Sequence, residues 1–495
     1  MLCSLPSDIL LNIVNSGLDV CDVWTLRETC KDLYEFVSTR ELWHMLAREI
    51  LRRRPLALPS FVMLSTASLP TLVSAVTLSA RVERSCLMPK VGLRRPIKKT
   101  SLPGSIIYTL CLPGGQYVLL AFANGDLLCW DLDKGCPIAR HQTDGGINLM
   151  RCVSVDGKIC EYVLGMVFAS PESCEPSEDL MRLAVVRLRI PANPLENARF
   201  IEYPSHPVSF PVTGCFVQGD IVGLIGIISS TGTVGMLLLD RQSAVVVRVD
   251  TGVPTFSEGP GSYLDAVASP SEVILYREDP FGSHSYHYTT SSLIRLFSSP
   301  HLSEDARKET RQSFLPNVAF FPPQESKAFV FSDDSTICAL HSCEIMEPWT
   351  EGGPISCLST CYETDTNQRD QFTSINHHFF DPSRPSGAII HRTFHSCLRT
   401  QEHIRVNERG VELIVLGSHG RHGAWLIDGD DGPLLQVATF PLEEKGHFTA
   451  SNQAHIKAVE IEEGDLSQVD SIELEDAMGT LILTTPTHIL VYQLN

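Results

Sequence analysis

The chain has 495 residues, of which 43% are hydrophobic and 20% charged, and its formal net charge is −19. This length exceeds one compact core of ordinary size, so it predicts two domains, or one large repeat-built domain with an appendage. The negative charge argues against nucleic acid or an anionic membrane as a partner. No segment reaches the roughly 18 consecutive apolar residues that a membrane span needs.

The cysteines and the first residues bear on the compartment. The 16 cysteines are scattered and form no C-x-x-C pair, which is typical of buried thiols in a reducing compartment. Asp8 interrupts the first apolar stretch and no basic region precedes it, so we expect no secretory signal. These features predict a protein of the cytoplasm, the nucleus or both.

Residues 1–50 predict a small helical domain. Pro6 suits the first turn of a helix that carries Ile9, Leu10 and Ile13, and Gly17 suits its end. Further helical segments are expected at about 21–29, 31–37 and 41–51. Fewer than about 50 residues bury little surface, so the apolar face of this domain predicts contact with another chain.

Residues 51–99 predict a helical and basic linker. Ser68 suits the cap of one more helix, in which Leu72 and Val76 recur at helical spacing. Residues 88–99 contain two prolines and predict a connector. Between residues 48 and 99 positive charge exceeds negative by about 9, whereas residues 443–476 are acidic. These stretches are either two solvated surfaces or surfaces that attract each other or a partner.

From residue 100 to residue 495 the pattern predicts β-structure. Short runs rich in Val, Ile and Leu alternate with turn residues, most clearly in QYVLLAFANGDLLCWDLDKGCPIARHQ from Gln116. About seven such units, spaced roughly 45 to 85 residues apart, predict a β-propeller, with a two-sheet sandwich as the alternative. The last run, HILVYQL from His488, is expected to pair with a strand near residues 97–110 and close the ring.

The helical domain resembles an F-box. The F-box pattern is matched in order and spacing by Leu5-Pro6-Ser7-Asp8-Ile9-Leu10, Ile13, Leu18, Asp22, Leu26, Cys30-Lys31, Leu33-Tyr34 and Leu42-Trp43. Two positions depart from the family pattern, since Val14 replaces an aromatic residue and Thr29 replaces an aliphatic one. The β-rich remainder resembles F-box proteins with WD-type repeats, although the Trp-Asp signature is good only at Trp130-Asp131.

This resemblance implies the substrate-recognition adaptor of an SCF-type cullin–RING ubiquitin ligase. In that family the F-box binds a Skp-family linker protein, and through it cullin, while the propeller binds a protein substrate. The residues implied to contact the linker are Leu5, Pro6, Ile9, Leu10, Ile13, Leu18, Leu26, Cys30, Lys31 and Trp43. For Leu33 and Trp43 internal packing is the stronger interpretation. A second possibility is that the whole apolar face docks on the propeller and caps it.

No motif predicts catalysis. The sequence has no H-E-x-x-H, G-x-S-x-G, P-loop or Rossmann fingerprint, and Gly223 and Gly226 suit a closely packed strand. Histidines at 377, 378, 391, 395, 419 and 422, with Cys357 and Cys361, are expected in strand ends and loops without a metal. We therefore expect a non-catalytic subunit without cofactors, whose substrate the sequence does not identify.

The predicted fold class is multidomain α plus all-β, with a three-helix F-box followed by an approximately seven-bladed β-propeller. Two other functions fit parts of the pattern. One is an F-box scaffold that acts outside degradation, for example in trafficking or complex assembly. The other is an enzyme whose propeller holds a hydrolase site, which a charged cluster in the central channel would favour.

Overall fold

The computed structural model describes most of the chain in segments. The described residues are 5–53, 56–58, 62–87, 91–93, 98–112, 114–154, 161–169, 181–191, 196–208, 210–255, 263–268, 271–279, 282–297, 318–330, 336–346, 355–365, 371–380, 389–396, 411–417, 420–429, 432–440, 455–461 and 466–494. None of the helices in these segments combines the length and the hydropathy that a membrane span requires.

The N-terminal region is helical. Its helices are α1 (Ser7–Gly17), α2 (Val20–Arg27), α3 (Lys31–Val37), α4 (Arg40–Arg53) and α5 (Leu69–Leu87). Four of them lie within the part of the first 53 residues that the structure describes, at the four helical segments expected there, although the predicted fold class gave the F-box three helices. Helix α3 ends at Val37, and the Ser38 amide still donates to the Tyr34 carbonyl, 3.0 Å away, before α4 begins at Arg40.

Apolar side chains from all five helices share one core. Trp43 and Leu42 of α4, which are fully buried, pack there with Val23 of α2 and Val14 of α1. The Trp24 and Trp43 rings lie 5.5 Å apart, tilted by 53°. Such short helices are marginal alone, so this shared core is what stabilises the unit.

Helix α5 connects the helical core to the β-sheets. Its beginning is capped as predicted, since the Thr71 amide donates to Ser68 Oγ at 3.3 Å. Leu72 and Val76, in its first half, belong to the helical core, whereas Val82 and Cys86, in its second half, belong to a core formed by the last two sheets. One continuous helix thus contributes to both hydrophobic cores.

In the described part of the chain the strands form seven sheets, numbered here along the chain. The first two precede residue 209. Sheet 1 has β3 (Ile106–Cys111), β4 (Tyr117–Phe122), β5 (Asp126–Asp131) and β6 (Cys136–Gln142), and sheet 2 has β7 (Ile147–Ser154), β8 (Glu161–Ala169), β9 (Met181–Arg189), β10 (Arg199–Glu202) and β11 (His206–Val208).

The middle sheets follow the same order. Sheet 3 has β12 (Val212–Gln218), β13 (Ile221–Ile228), β14 (Thr233–Asp240), β15 (Val245–Pro254) and β19 (Val318–Phe320). Sheet 4 has β16 (Tyr263–Ala268), β17 (Glu272–Asp279), β18 (Gly282–Thr289) and β20 (Glu325–Val330), and helix α6 (Thr290–Phe297) packs on it. Sheet 5 has β21 (Thr336–Met346), β22 (Ile355–Asp365), β23 (Gln371–Phe380) and β24 (Ile389–Ser396).

The last two sheets each include one strand from the beginning of the β-rich region. Sheet 6 has β25 (Val411–Leu416), β26 (His422–Gly429), β27 (Gly432–Thr439), β28 (His455–Ile461) and β1 (Val91–Leu93), and sheet 7 has β29 (Ser471–Glu475), β30 (Thr480–Thr484), β31 (His488–Gln493) and β2 (Lys98–Ser101). Neighbouring strands are antiparallel except β1 with β28 and β15 with β19. The segment predicted as a connector therefore supplies two strands.

The sheets form a closed ring. The first long strand of each sheet contacts that of the next sheet, and β29 of sheet 7 contacts β3 of sheet 1. Strand β2 pairs with β31, with Thr100 opposite Ile489, so the predicted closing pair is confirmed. This closed arrangement is that of a β-propeller and differs from the two-layer sandwich that the sequence left open.

Close packing inside sheet 3 explains two glycines of the sequence. Gly223 lies opposite Phe216, and a Cβ at Gly223 would stand 2.1 Å from Phe216 Cζ. A Cβ at Gly226 would stand 2.0 Å from the Pro211 carbonyl oxygen. Both distances are far below van der Waals contact, so the interpretation of these glycines as small residues for close strand packing is confirmed.

Candidate functional site

Helix α1 has one buried and one exposed apolar face. Leu10 and Val14 point into the helical core and are 7% and 2% exposed. Leu5 and Ile9 keep 36% and 42% of their surface in water, and Ile13 is half-buried outside that core. Ile9 and Ile13 are four residues apart in α1 and therefore lie on one side of the helix, and Leu5 and Pro6 directly precede its first residue. We call Leu5, Pro6, Ile9 and Ile13 the exposed α1 face.

The ends of the first two helices fix this face in place. The amides of Ile9 and Leu10 both donate to the Pro6 carbonyl at 3.1 Å, and the Leu18 amide donates to the Val14 carbonyl at 3.2 Å. Helix α2 then begins with a capping box, in which Asp19 accepts from the Asp22 amide and Asp22 accepts from the Asp19 amide. A capped start of this kind satisfies two backbone amides and defines where α2 begins.

The other predicted contact residues divide into two groups. Leu18, Leu26 and Cys30 are half-buried and pack on the helical core with part of their surface in water. Lys31 is exposed and forms an ion pair with Glu35 at 3.7 Å, one helical turn away. These four side chains are therefore accessible to another molecule, at least in part.

Leu10 and Trp43 are corrections to the predicted contact set. Leu10 is buried in the helical core, and Trp43 is 1% exposed, with its Nε1–H donating to the Val37 carbonyl at 2.6 Å. Neither side chain can reach a partner without leaving the core. For Trp43 the structure agrees with the interpretation that preferred internal packing.

Tyr34 was not among the predicted contact residues, yet it is 46% exposed. The Arg27 guanidinium lies between two rings, 5.0 Å from the centre of Trp24 and 4.9 Å from that of Tyr34. The hydrogen bond from Arg27 to the Tyr34 hydroxyl, aided by the Arg27 charge, lowers the pKa of Tyr34. The signal for Tyr34 in the sequence was its place in the F-box pattern, directly after Leu33.

A family comparison agrees with this geometry. Residues 2–49 match a family model described as F-box-like. The N-terminal unit is an F-box-like domain. The match covers the helices that carry the exposed α1 face and ends within α4.

Two further comparisons concern the whole chain. No curated protein matches its sequence significantly. Among solved structures, the crystal structure of the RRP9 WD40 repeats is similar, with a TM-score of 0.42 and 8% identity, over 81% of this chain and 99% of that chain. The sheet order and the closing strand pair of this chain define its propeller architecture.

In the β-rich region that follows the F-box-like domain in the sequence, the first strands of several sheets carry a charged cluster. Arg151 of β7 donates to Asp265 of β16 at 2.9 Å and to the Tyr108 hydroxyl of β3 at 3.1 Å. Asp265 also accepts from the Tyr263 hydroxyl at 2.9 Å and from the Ala266 amide at 2.7 Å. Every charged group here has a partner within the ring, so the cluster links sheets 1, 2 and 4 and favours a structural role.

The structure describes most of the predicted histidine positions. His377, His378, His391 and His395 lie near the ends of strands β23 and β24, in agreement with the expected strand ends. Cys357, His378 and His391 are opposite one another on neighbouring strands, but the side chains of these three residues, like His419, lie outside the described part of the chain. Among the residues that the structure describes, no three His, Cys, Asp or Glu side chains form a metal-binding group.

Proposed function

We propose that this chain is the substrate receptor of an SCF-type cullin–RING ubiquitin ligase. The F-box-like domain would bind a Skp-family linker protein, and a seven-bladed propeller would hold the protein substrate. The observation that carries the proposal is the exposed α1 face, because Ile9 stays in water on a helix that buries Leu10 and Val14, and Leu5, just before the helix, is exposed too. The family match to residues 2–49 supports the kind of partner.

The size of the face fits a protein partner. Burying an apolar side chain of this size contributes roughly 1.5–3 kcal/mol, so Leu5, Ile9 and Ile13 together supply a substantial part of a protein–protein interaction. An apolar helix face of this type docks in a groove of its partner. Leu18, Leu26, Cys30 and Lys31 would lie at the rim of that groove, and Tyr34 would extend it.

The proposed function is geometric and does not require a reaction on this chain. Helix α5 contributes to the core of the F-box-like domain and to the core of the last two sheets. A linker and a substrate bound to one rigid molecule are held at a high effective concentration. Substrate lysines would thus be brought near the ubiquitin-conjugating enzyme without catalytic residues here. We further propose that this takes place in the cytoplasm, the nucleus or both.

Affinity purification of the full chain tests this proposal. The triple variant Leu5→Ala, Ile9→Ala, Ile13→Ala should lose the linker protein and keep proteins bound to the propeller. The matched control is Ile201→Ala, Ile227→Ala, Leu434→Ala, which removes three apolar side chains of similar exposure, 38%, 36% and 38%, from the sheets. Retention of the linker by the first variant, or its loss from the control, would contradict the proposal.

The same purification separates degradation from a scaffold role. A substrate receptor should recover cullin together with the linker, and both should disappear in the α1 variant. A scaffold acting outside degradation should recover the linker without cullin. Recovery of linker alone from cells with abundant cullin would therefore favour the scaffold.

A further inference from the structure

Arg248 of strand β15, near the outer edge of sheet 3, is a buried cation without a partner. Only 6% of the residue is exposed. Within the described residues its guanidinium donates no hydrogen bond and forms no ion pair, and its Nε is sealed from solvent, whereas its two terminal nitrogens are not. A buried charge that lacks a partner is costly, and buried polar groups are normally satisfied. The described fold supplies no acceptor for this side chain.

The other buried arginines of the described chain differ from Arg248 in this respect. Arg421, 5% exposed, donates from a terminal nitrogen to Glu83 Oε1 at 2.6 Å. Arg277, 7% exposed, donates from a terminal nitrogen to the Tyr286 hydroxyl at 2.8 Å. A buried guanidinium in this protein is thus accompanied by an acceptor, and Arg248 is the exception among the described residues.

The neighbours of Arg248 leave its charge unpaired. The guanidinium carbon lies 5.6 Å from the centre of the Phe210 ring, which offers no acceptor atom. Asp250 lies two residues along β15, but its Oδ1 accepts from Thr233 Oγ1 at 2.8 Å and from the Gly252 amide at 2.9 Å. Burial lowers the pKa of Arg248, and Asp250 offsets this only in part. The side chain remains a cation whose donors are unused.

An exposed aromatic ring lies on the same face of the sheet. Phe320 of the edge strand β19 is 69% exposed, more than any other large hydrophobic side chain that the structure describes. In the parallel pair of β15 with β19, Arg248 is opposite Val318 and Asp250 is opposite Phe320. Phe320 is therefore one strand across from Arg248 and two residues along, and two residues span about 6.6 Å of a strand.

The ring of Phe320 rests on backbone that has no side chain. A Cβ at Gly252, which has a positive φ of 66°, would stand 2.8 Å from Phe320 Cε2. The ring thus has one side against the sheet, while most of its surface stays in water. An unpaired guanidinium and an uncovered aromatic ring occur together here, and arginine and aromatic side chains are the ones that dominate protein–protein interfaces.

We propose that Arg248 and Phe320 form a docking site for an acidic segment of a protein partner. A carboxylate of the segment pairs with the terminal nitrogens of Arg248, and an apolar side chain two residues away covers Phe320. Guanidinium and carboxylate are matched in shape and charge, which favours this pairing. A phosphate dianion fits less well, because Asp250 would repel its second charge. The site does not depend on what the exposed α1 face binds.

Chemical denaturation of the full chain tests whether Arg248 serves the fold instead. Arg248→Met keeps an aliphatic side chain and removes the unpaired charge, so the unfolding midpoint should stay the same or rise. The matched control is Arg421→Met, equally buried but paired with Glu83, which should lower the midpoint. A midpoint lowered as much in Arg248→Met as in Arg421→Met would show an internal partner and overturn the proposal.

An array of immobilised peptides tests the ligand directly. Each peptide carries Glu and, two positions later, Leu, with the other positions varied, and each has a twin with Gln in place of Glu. The wild-type chain should bind a subset of the Glu peptides at least about tenfold better than their twins, since hydrogen bonds to charged groups are strong. This comparison uses the wild type alone, so it decides even where a variant does not fold.

Variants then assign the binding to this site. Arg248→Met and Phe320→Ser should lose the bound peptides, whereas Ile294→Ser, which changes an apolar residue of α6 that is 51% exposed, should keep them. The triple variant of the exposed α1 face should also keep them, so loss of the linker and loss of this site are distinguishable. No preference for Glu over Gln, a preference that persists in Arg248→Met, or tighter binding of phosphoserine than of Glu at the same position would each overturn the proposal.

Discussion

Ile9 and Leu10 are adjacent in the sequence, yet helix α1 turns one toward water and the other into the core. Ile9 is 42% exposed, whereas Leu10 is 7% exposed and packs in the core of the F-box-like domain. These two neighbouring residues of the F-box pattern therefore have different roles. One residue is available to a partner, and the other holds the helix that presents it.

The first prediction compares these two positions. Ile9→Asp should change the free energy of unfolding by less than about 0.5 kcal/mol, because an exposed site tolerates a charge. It should abolish binding of the linker protein, since a carboxylate cannot enter an apolar groove without a partner. Leu10→Ala should cost about 2–5 kcal/mol through the cavity it leaves.

Chemical denaturation and linker binding, measured on the same preparations, check this prediction. At a temperature where Leu10→Ala is still folded, it should bind the linker nearly as well as wild type. Equal loss of binding by both folded variants would contradict the separation of the two faces.

The sequence identified the helical unit well but not the direction of each side chain. Helical spacing placed Ile9, Leu10 and Ile13 on one short helix, and the F-box pattern includes all three. Which of them is buried depends on where α4 brings Trp43 and Leu42, and these lie in a later part of the motif. A periodic pattern shows that an apolar face exists, whereas its division between core and partner is a tertiary property.

In the sheets, the sequence predicted the closing strand from its local pattern, but it did not predict the pairing of β1 with β28. The closing strand was predictable because His488–Gln493 is a clear apolar run near the end of the chain. Strand β1, only three residues long, pairs in parallel with β28, and Val91 lies opposite Val459. No periodicity is measurable over three residues, so this basic segment resembled a connector.

The second prediction concerns the Trp43 indole. Trp43→Phe removes the 2.6 Å hydrogen bond to the Val37 carbonyl and leaves that oxygen buried without this donor, which should cost about 1–3 kcal/mol. The matched control is Trp24→Phe, because Trp24 is half-buried and its Nε1–H donates to Thr77 Oγ1 at only 3.4 Å. Thermal denaturation should show a clearly smaller loss for Trp24→Phe, and the opposite order would contradict the prediction.

The third prediction concerns the close approach of Gly223 and Phe216. Gly223→Ala should destabilise the protein by about 1–3 kcal/mol, because the new Cβ overlaps the Phe216 ring. Phe216→Leu makes room, so the double variant should be more stable than the sum of the single changes by about 0.5–3 kcal/mol. Gly17→Ala is the matched control, since nothing lies within 4 Å of its Cβ position. Strict additivity of the two changes would contradict the clash.

The fourth prediction uses the titration of Tyr34. Its pKa is lowered by the hydrogen bond from Arg27 and by the Arg27 charge, so Arg27→Gln should raise the pH at which the phenol ionises. The ultraviolet difference between wild type and Tyr34→Phe isolates this residue from the other tyrosines. Lys31→Gln is the control, because Lys31 pairs with Glu35 and its removal should leave the titration nearly unchanged. Since Tyr34 belongs to the extended surface proposed for the linker, the bound linker should also alter this titration. An unshifted midpoint in Arg27→Gln would mean that the guanidinium does not hold the phenol in solution.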